Sequence, residues 1–505
     1  MTHDDFRRLA DEARASGTRL LIPVWREILL DAETPVSAFA KLRRDGGPFA
    51  FLLESAPAGG ETWARYTYMG SAPRAAWRLT DGVVEDWTAA QGWHNARRPT
   101  DPLADLENLL ARDTPLDLPE AGEFWSGAVG FFSYDVVRLI EKLPKPPRKT
   151  VATPDALFVF TGALVIIDNL RAHARVVVGV PVNPEMSAVA IDAAYQTAVD
   201  EIAGTIARLR AAGSLPVFDL DPDAPPAEGA STYEAAKFKA DVERIRDYIV
   251  AGDAFQVLLA RRIEVRHDFS SEALYRALRV INPSPYMYHL ILDGIELVGS
   301  SPELLVRVGA GKVTVRPIAG TRRRGRTPED DEVMRAELIA DEKERAEHLM
   351  LVDLGRNDIG RIARYGSVRV TDLMTVERYS HVLHMVSQVE GDLADGLSAM
   401  DAFRATFPAG TMTGAPKVRA MQIIDELEPE RRGPYAGAVG YIAAGGRRMD
   451  LAITIRTCVI AGGVASVQTG AGIVHDSVPD AEWRETENKA RAVLTAIGKA
   501  RQASP

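Results

Sequence analysis

Glu344 and Glu347 stand three residues apart in the run Asp341-Glu342-Lys343-Glu344-Arg345-Ala346-Glu347-His348, and Glu482 and Glu485 repeat that spacing near the C-terminus. On a helix, positions three apart share a face, so each pair crowds like charges together at a small cost in stability. A hard divalent cation removes that cost, and magnesium typically takes one or two carboxylates while keeping waters and substrate oxygens. A solvated acidic face produces the same pattern and is its commoner origin. Arg456 lies in Thr454-Ile455-Arg456-Thr457, inside what reads as an apolar strand. A guanidinium there needs a partner, either a structural carboxylate or an anionic ligand. His384, in Val382-Leu383-His384-Met385-Val386, is either a satisfied core histidine or a general acid or base. Gln468-Thr469-Gly470-Ala471-Gly472-Ile473-Val474 reads as a strand running into a glycine-flanked turn that a ligand could approach closely, or as an ordinary hairpin part. Gly410 to Lys417 offers two hydroxyls and a lysine in a loop leading into a helix near Val418 to Glu426, which a plain loop-to-helix junction also explains.

These groups need elements to hold them. Apolar spacing predicts helices over Asp101 to Ala111, Val189 to Ala212, Tyr233 to Ala251 and Pro479 to Ala500. Thr327-Pro328-Glu329 carries a capping hydroxyl, a first-position proline and an acid, and predicts one long helical segment from there to about Ala363. Strands are expected over Phe49 to Leu53, Ala163 to Asp168, Phe255 to Val265, Tyr288 to Leu292, Ile295 to Gly299, Leu304 to Val308, Tyr379 to Val389, Ala436 to Ala443, Asp450 to Ile460 and Ala465 to Thr469. Leu215 to Ser231, rich in proline and acids, reads as a linker or surface loop over 215–231, between an N-terminal lobe over 1–214 and a second domain over 232–505. Many strands at hairpin spacing, interrupted by helices, predict an α+β fold with large, mostly antiparallel sheets in a β-sandwich-like core flanked by helices.

Composition limits the function. A net charge of -10 argues against a nucleic-acid partner. The one dense basic run, Arg322 to Arg326, is followed by Glu329, Asp330, Asp331 and Glu332 and reads as a solvated loop entering a helix. A single cysteine, Cys458 in an apolar stretch, excludes a disulfide framework and reads as a buried thiol. No leader-like N-terminus and no apolar run of membrane-spanning length is present, so a soluble, cytoplasmic protein with no membrane partner is expected.

Six segments in order resemble the chorismate-utilising enzyme family: Gly252-Asp253-Ala254-Phe255-Gln256-Val257, Asn282-Pro283-Ser284-Pro285-Tyr286-Met287, Pro317-Ile318-Ala319-Gly320-Thr321-Arg322, Asp341 to His348, Leu354-Gly355-Arg356-Asn357-Asp358 and Gly470-Ala471-Gly472. The resemblance covers about Tyr233 to Ile497, with looser matches at Phe51 to Ser55 and Arg65 to Gly70. It implies that Glu347 and Glu485 hold Mg²⁺, supported by Glu344 and Glu482, and that the metal neutralises the ring carboxylate of chorismate. It also implies that Gly320, Thr321, Tyr435, Arg456, Gly470, Ala471, Gly472 and Lys489 surround the substrate, and that His384 assists the chemistry, with Glu344 and Lys489 counted beside it as catalytic.

Two positions separate the relatives. Members that add water carry a lysine base where this chain has Gln256, and glutamine cannot take a proton from water. Members that make aminodeoxychorismate carry a lysine nucleophile where this chain has Ala319. The implied reaction is therefore addition of ammonia to chorismate, loss of the 4-hydroxyl and elimination of pyruvate to leave anthranilate. The alternatives are enzymes that stop at aminodeoxyisochorismate or make aminodeoxychorismate. Ser55, Leu53 and Glu54 with Pro285, Tyr286 and Met287 resemble the family's tryptophan site, which implies feedback inhibition by L-tryptophan. Nothing in the chain resembles a glutamine amidotransferase, so a separate small subunit supplying ammonia, and hence a hetero-oligomer, is expected.

Overall fold

The computed structural model describes residues 1–55, 65–117, 122–171, 173–213, 215–219, 221, 223–379 and 382–503. Ser380 and His381, inside the strand expected over Tyr379 to Val389, and Ser214, Leu220 and Pro222, in and beside the expected linker, lie outside these residues.

Two large sheets organise the chain, as expected for an α+β fold. The first runs, edge to edge, through Thr114–Pro115, Leu20–Leu29, His173–Val182, Leu164–Asp168, Tyr66–Ser71, Phe49–Glu54, Tyr286–Leu292, Ile295–Ser301, Thr457–Ala461, Val464–Ile473, Gln256–Arg266 and Ala230–Ser231. The second runs through Gly92–Arg97, Val83–Thr88, Ala75–Thr80, Ala156–Phe160, Gly127–Phe132, Ala438–Ala443, Met449–Ile453, Leu304–Gly309, Lys312–Val315, Val382–Asp392 and Ile318–Arg323. Neighbours are antiparallel apart from the short Leu20–Leu29 pairing with Thr114–Pro115. Phe49, Phe51, Tyr288 and Leu290 of the first sheet pack with Val129, Phe131, Val439 and Tyr441 of the second in one buried cluster, so the sheets lie face to face. Their outer faces are covered by helices, among them Ala188–Arg210, Ser271–Ile281 and Pro479–Ala503 on the first sheet and Glu342–Gly360 and Ala399–Thr406 on the second.

Both sheets take strands from before and after 215–231: Phe49–Glu54 pairs with Tyr286–Leu292, and Gly127–Phe132 with Ala438–Ala443. The described part of 215–229 has no helix or strand, yet it is fastened down. Ala227 N donates to Leu494 O at 2.9 Å, Lys499 reaches the Asp221 carbonyl, and the Arg276 guanidinium lies 4.6 Å from the Phe218 ring centre.

Two expected elements are broken, and each break has a cause. The helix expected from Thr327 to about Ala363 becomes Pro328–Ala340 and Glu342–Gly360, because Asp341 turns extended (ψ 107°) and caps the second helix. Its Oδ1 accepts from Lys343 N at 3.0 Å and Glu344 N at 3.1 Å, a bond that competes with continuing the helix. The strand expected over Asp450 to Ile460 becomes Met449–Ile453 in the second sheet and Thr457–Ala461 in the first. Between them Arg456 adopts the left-handed region (φ 52°), and the chain crosses from sheet to sheet. A second crossing, at Pro302-Glu303 between Ile295–Ser301 and Leu304–Gly309, lies against the first: Ile453 N donates to Glu303 O at 3.0 Å, and Ser300 N to Arg456 O at 3.2 Å.

A buried ion pair locks this corner. Arg432 donates to both oxygens of Glu428, at 2.9 and 2.6 Å, to Met412 O at 2.6 Å and to Leu258 O at 3.0 Å, while Ala260 N donates to Glu428 at 2.9 Å. Removing one member strands a buried charge, whereas replacing both with apolar groups removes the desolvation cost as well. Arg432→Met should therefore lower stability by about 3–5 kcal/mol, read as an earlier urea midpoint. The double variant Arg432→Met/Glu428→Leu should recover most of that loss, and equal losses in the two variants would show that the corner depends on packing alone.

Candidate functional site

The crossings place the chemistry-bearing residues at one end of the sandwich. The Arg456 guanidinium is held by its backbone corner and donates from Nη1 to Lys489 O at 2.7 Å on the helix Pro479–Ala503. It makes no ion pair among the described residues, so the structural salt bridge weighed for it is not seen. Burial lowers its pKa against the pull of Tyr435 and Glu485, but a guanidinium stays charged. One turn before the Lys489 carbonyl, Glu485 receives Lys489 Nζ at 2.7 Å, and the same ammonium donates to Gly470 O at 3.1 Å.

Gly470, Ala471 and Gly472 do not form the turn expected of them. They sit inside the strand Val464–Ile473, opposite Ala260, Leu259 and Leu258 of Gln256–Arg266. The glycines are needed for clearance: a Cβ on Gly472 would come within 2.5 Å of Gln256 Nε2, and one on Gly470 within 3.1 Å of the Tyr435 hydroxyl. Tyr435 itself is buried, with its ring 5.9 Å from the Arg432 guanidinium.

Both glutamate pairs lie on helices, as their spacing requires: Glu344 and Glu347 on Glu342–Gly360, Glu482 and Glu485 on Pro479–Ala503. Burial raises the pKa of Glu347, and the charges of Glu344 and Glu485 raise it further, while Gln256 Nε2 at 3.4 Å and Lys489 oppose. Burial also raises Glu482, with Glu485 adding and Ser477 opposing. Glu344 is met by Arg322 Nη1 at 3.2 Å. Among the described residues no three carboxylate, imidazole or thiolate groups converge on one point, so the protein alone offers no closed metal cage. What it offers is mutually repelling glutamates with few cations, a donor set suited to a hard ion that completes its shell with waters and substrate oxygens.

Across from these lies the strand pair Ile318–Arg323 and Val382–Asp392, in which Thr321 opposes His384. Gly320 is the extra residue of a bulge between Ala319 and Thr321 and is left-handed (φ 67°); a Cβ there would meet Glu344 Oε2 at 3.2 Å. His384 Nδ1 lies 3.1 Å from Gly320 O and 3.2 Å from Thr321 Oγ1. Burial pushes its pKa down to about 4, with the Arg456 charge adding and the Gly320 carbonyl opposing. The carbonyl assigns the proton to Nδ1 of a neutral ring and leaves the Nε2 lone pair available.

One further group was not singled out from the sequence. Glu303, at the other crossing, is buried, accepts from Thr411 Oγ1 at 2.9 Å, and is pushed up to about 8 by burial against Thr411 and Lys489. The signal was available: an acid between the apolar runs Ile295 to Gly299 and Leu304 to Val308 raises the same question as Arg456. Of the Gly410 to Lys417 loop, Thr411 thus serves this carboxyl, while Lys417 turns away to Asp358 at 2.8 Å.

The regulatory candidates also come together. Met287 pairs with Glu54 and Tyr288 with Leu53, which sets Ser55 beside Tyr286 and Pro285. Ser55 Oγ is buried without a hydrogen-bond partner, whereas Glu54 is engaged by Arg279 at 2.7 to 3.1 Å and by the Tyr275 hydroxyl at 2.8 Å, and Met287 is in the core.

The sequence matches the chorismate binding enzyme family over residues 51–495. It is 46% identical over 491 residues to anthranilate synthase component 1 of Aquifex aeolicus, covering 97% of each chain. It is 44% identical over 512 residues to the protein of that name from Pseudomonas putida, covering all of both. The crystal structure of anthranilate synthase component I from Streptococcus pneumoniae superposes with a TM-score of 0.73 at 38% identity, over 87% of this chain and 93% of that one. The menaquinone-specific isochorismate synthase of Escherichia coli shares the fold, with a TM-score of 0.68 at 18% identity over 98% of this chain and 99% of that one.

The burial of His384 has a pH consequence. An unfolded chain takes up this proton below about 6.5, while the folded chain resists until about 4, so the folded state loses stability from this group as pH falls through that window. The His384 imidazole resonance should titrate near 4, and His384→Asn should flatten the acid side of the stability profile. A midpoint at or above 6 would contradict the assignment.

Proposed function

The chain belongs to the chorismate-binding enzyme family, and from that membership we propose that it converts chorismate and ammonia to anthranilate and pyruvate in the cytoplasm, with magnesium as cofactor, a glutamine amidotransferase partner as its ammonia source and L-tryptophan as feedback inhibitor. The observation that carries the choice of nucleophile is Gln256, whose amide reaches Glu347 at 3.4 Å. A group that cannot accept a proton occupies the position from which water would have to be activated, which suits a nucleophile that is already basic. Ala319, beside the Gly320 bulge, offers no covalent nucleophile.

Chorismate brings two carboxylates to a protein of net charge -10, so binding depends on local cations. Arg456 and Lys489 supply two of them on the enolpyruvyl side, bordered by Gly470 to Gly472 and Tyr435. Glu347 and Glu485, with Glu344 and Glu482 in support, would hold the magnesium, which would supply the charge that neutralises the ring carboxylate. Glu303, protonated at neutral pH, is the acid that gives its proton to the departing 4-hydroxyl as the C–O bond breaks. Neutral His384, its tautomer fixed by Gly320, uses the free Nε2 to accept a hydrogen bond from that hydroxyl and orient it for departure. Ammonia adds at the ring carbon beside the enolpyruvyl-bearing carbon, and loss of a ring proton with expulsion of pyruvate leaves the aromatic amine.

Cys458, the chain's one cysteine, is fully buried and its thiol is pushed up to about 12 by that burial. It is unsuited to glutamine hydrolysis, which favours a separate ammonia-supplying subunit in a hetero-oligomer. Ser55 Oγ, buried and unpartnered beside Tyr286 and Pro285, offers a hydrogen bond to the amino-acid end of tryptophan next to surfaces that can pack an indole.

With chorismate, Mg²⁺ and excess ammonium the purified chain should make anthranilate; glutamine should not replace ammonium, and chelation should stop the reaction. Isochorismate as product would overturn the reading. Glu347→Gln should lower kcat/KM by on the order of 100-fold or more. Ser55→Phe should give an active enzyme that tryptophan no longer inhibits, and retained inhibition would remove the regulatory assignment.

A further inference from the structure

We propose that the cavity between the helix Glu342–Gly360 and the second sheet is a water channel that returns a proton to Glu303 while the intermediate is still bound, by a route separate from the chorismate site. The proposal rests on the reading of Glu303 as the acid of the reaction. The cavity has about 40 Å³ of room for water centres, and its wall includes Glu303, Arg316, Leu354, Asp358, Thr406 and Gly410. That is room for roughly three waters, and Glu303, Arg316, Asp358 and Thr406 put polar groups in the wall. Asp358 lies in the wall with Lys417 at 2.8 Å, and Lys417 also donates to Thr406 O at 3.3 Å. Arg316, whose guanidinium pairs with Glu377, lies on the strand side. Of the charged groups around Glu303, Lys489 acts on it from the substrate side, while Arg316 and Asp358, the latter paired with Lys417, line the cavity.

The chemistry creates the need for such a route. As the C4–O bond breaks, its electrons leave with oxygen, the Glu303 proton completes a water molecule, and a buried carboxylate remains. Ammonia's lone pair forms the new C–N bond, and the adduct gives up a proton on the substrate side, which balances the one Glu303 must regain. At that moment the substrate still covers Glu303, so the proton has to arrive from behind. The half-buried Leu354 sets the width at Gly410, where a Cβ would lie 2.9 Å from Leu354 Cδ1. Ala409 forms the adjoining wall without touching Glu303 or Thr411 through a side-chain bond.

The test uses the full chain with Mg²⁺, ammonium and chorismate, comparing Ala409→Leu, which fills the cavity, with Leu354→Ala, which widens it, and with Glu303→Gln. Ala409→Leu should cut kcat about tenfold and raise the solvent deuterium isotope effect on kcat, with KM for chorismate within about twofold of wild type. Leu354→Ala should keep both kcat and the isotope effect. An Ala409→Leu enzyme with wild-type kcat and isotope effect, beside an inactive Glu303→Gln, overturns the channel and leaves the acid in place. A fully active Glu303→Gln overturns the acid itself. Should Ala409→Leu unfold, a high-resolution crystal structure of the wild type decides: ordered waters joining Glu303 to Asp358 support the channel, and a dry cavity overturns it.

Discussion

Two backbone hydrogen bonds, Ile453 N to Glu303 O and Ser300 N to Arg456 O, tie together the two places where the chain leaves one sheet for the other. A strand that changes sheets has to break its ladder, and the groups released by the break must find partners within a few residues. Here each corner supplies the other's partners. The left-handed backbone at Arg456 is supported by this mutual satisfaction, and its guanidinium donates to the Lys489 carbonyl. The Arg432–Glu428 pair beneath makes the arrangement rigid, since it bonds to the strand Gln256–Arg266 and to the Met412 carbonyl at the same time. Through these bonds the pair holds the strand that lies beside Gly470 to Gly472 and the carbonyl next to Thr411.

Rigidity of this kind is what a site full of like charges requires. Four glutamates, an arginine, a lysine and a buried carboxyl crowd one end of the sandwich, where repulsion would drive flexible elements apart. The helices Glu342–Gly360 and Pro479–Ala503 each carry two of these four glutamates and are anchored by apolar faces on different sheets, Val352 and Ile359 on one and Val493, Ala496 and Ile497 on the other. The hydrophobic core thus opposes the electrostatic strain at the helix ends, where an imbalance of charge remains.

Much of this was legible in the sequence. Elements whose signal is local came through: the capping motif at Thr327-Pro328, the helices with apolar faces, and the sheet-rich class. The failures share one physical origin, because they occur where tertiary contacts override a local pattern. Residues 450–460 have the uniform apolar character of one strand, and only the partner corner at Glu303 requires the break at Arg456. Gly470 and Gly472 look like turn residues, but they serve as clearance within a strand, a need set by Gln256 and Tyr435 from distant segments. Asp341 was visible as a helix residue and invisible as a cap until the helix direction on either side was known. Among the candidate site residues, single types at fixed spacing such as the glutamate pairs were readable, whereas Glu303 needed the fold to show that its carboxyl is buried.

Burial acts in opposite senses on the two groups that could move protons, and this explains how one enclosed site holds an acid and a base at the same pH. The charged form is penalised in both cases, so the carboxyl of Glu303 stays protonated up to about 8 and the imidazole of His384 stays neutral down to about 4. Between those limits the site contains a proton donor and a proton acceptor, and neither adds charge to an environment already strained by four glutamates. In water the two would exchange roles, the carboxylate ionised and the imidazole close to protonation. The inversion follows from removing water at two places, the crossing that holds Glu303 and the bulged strand pair that holds His384.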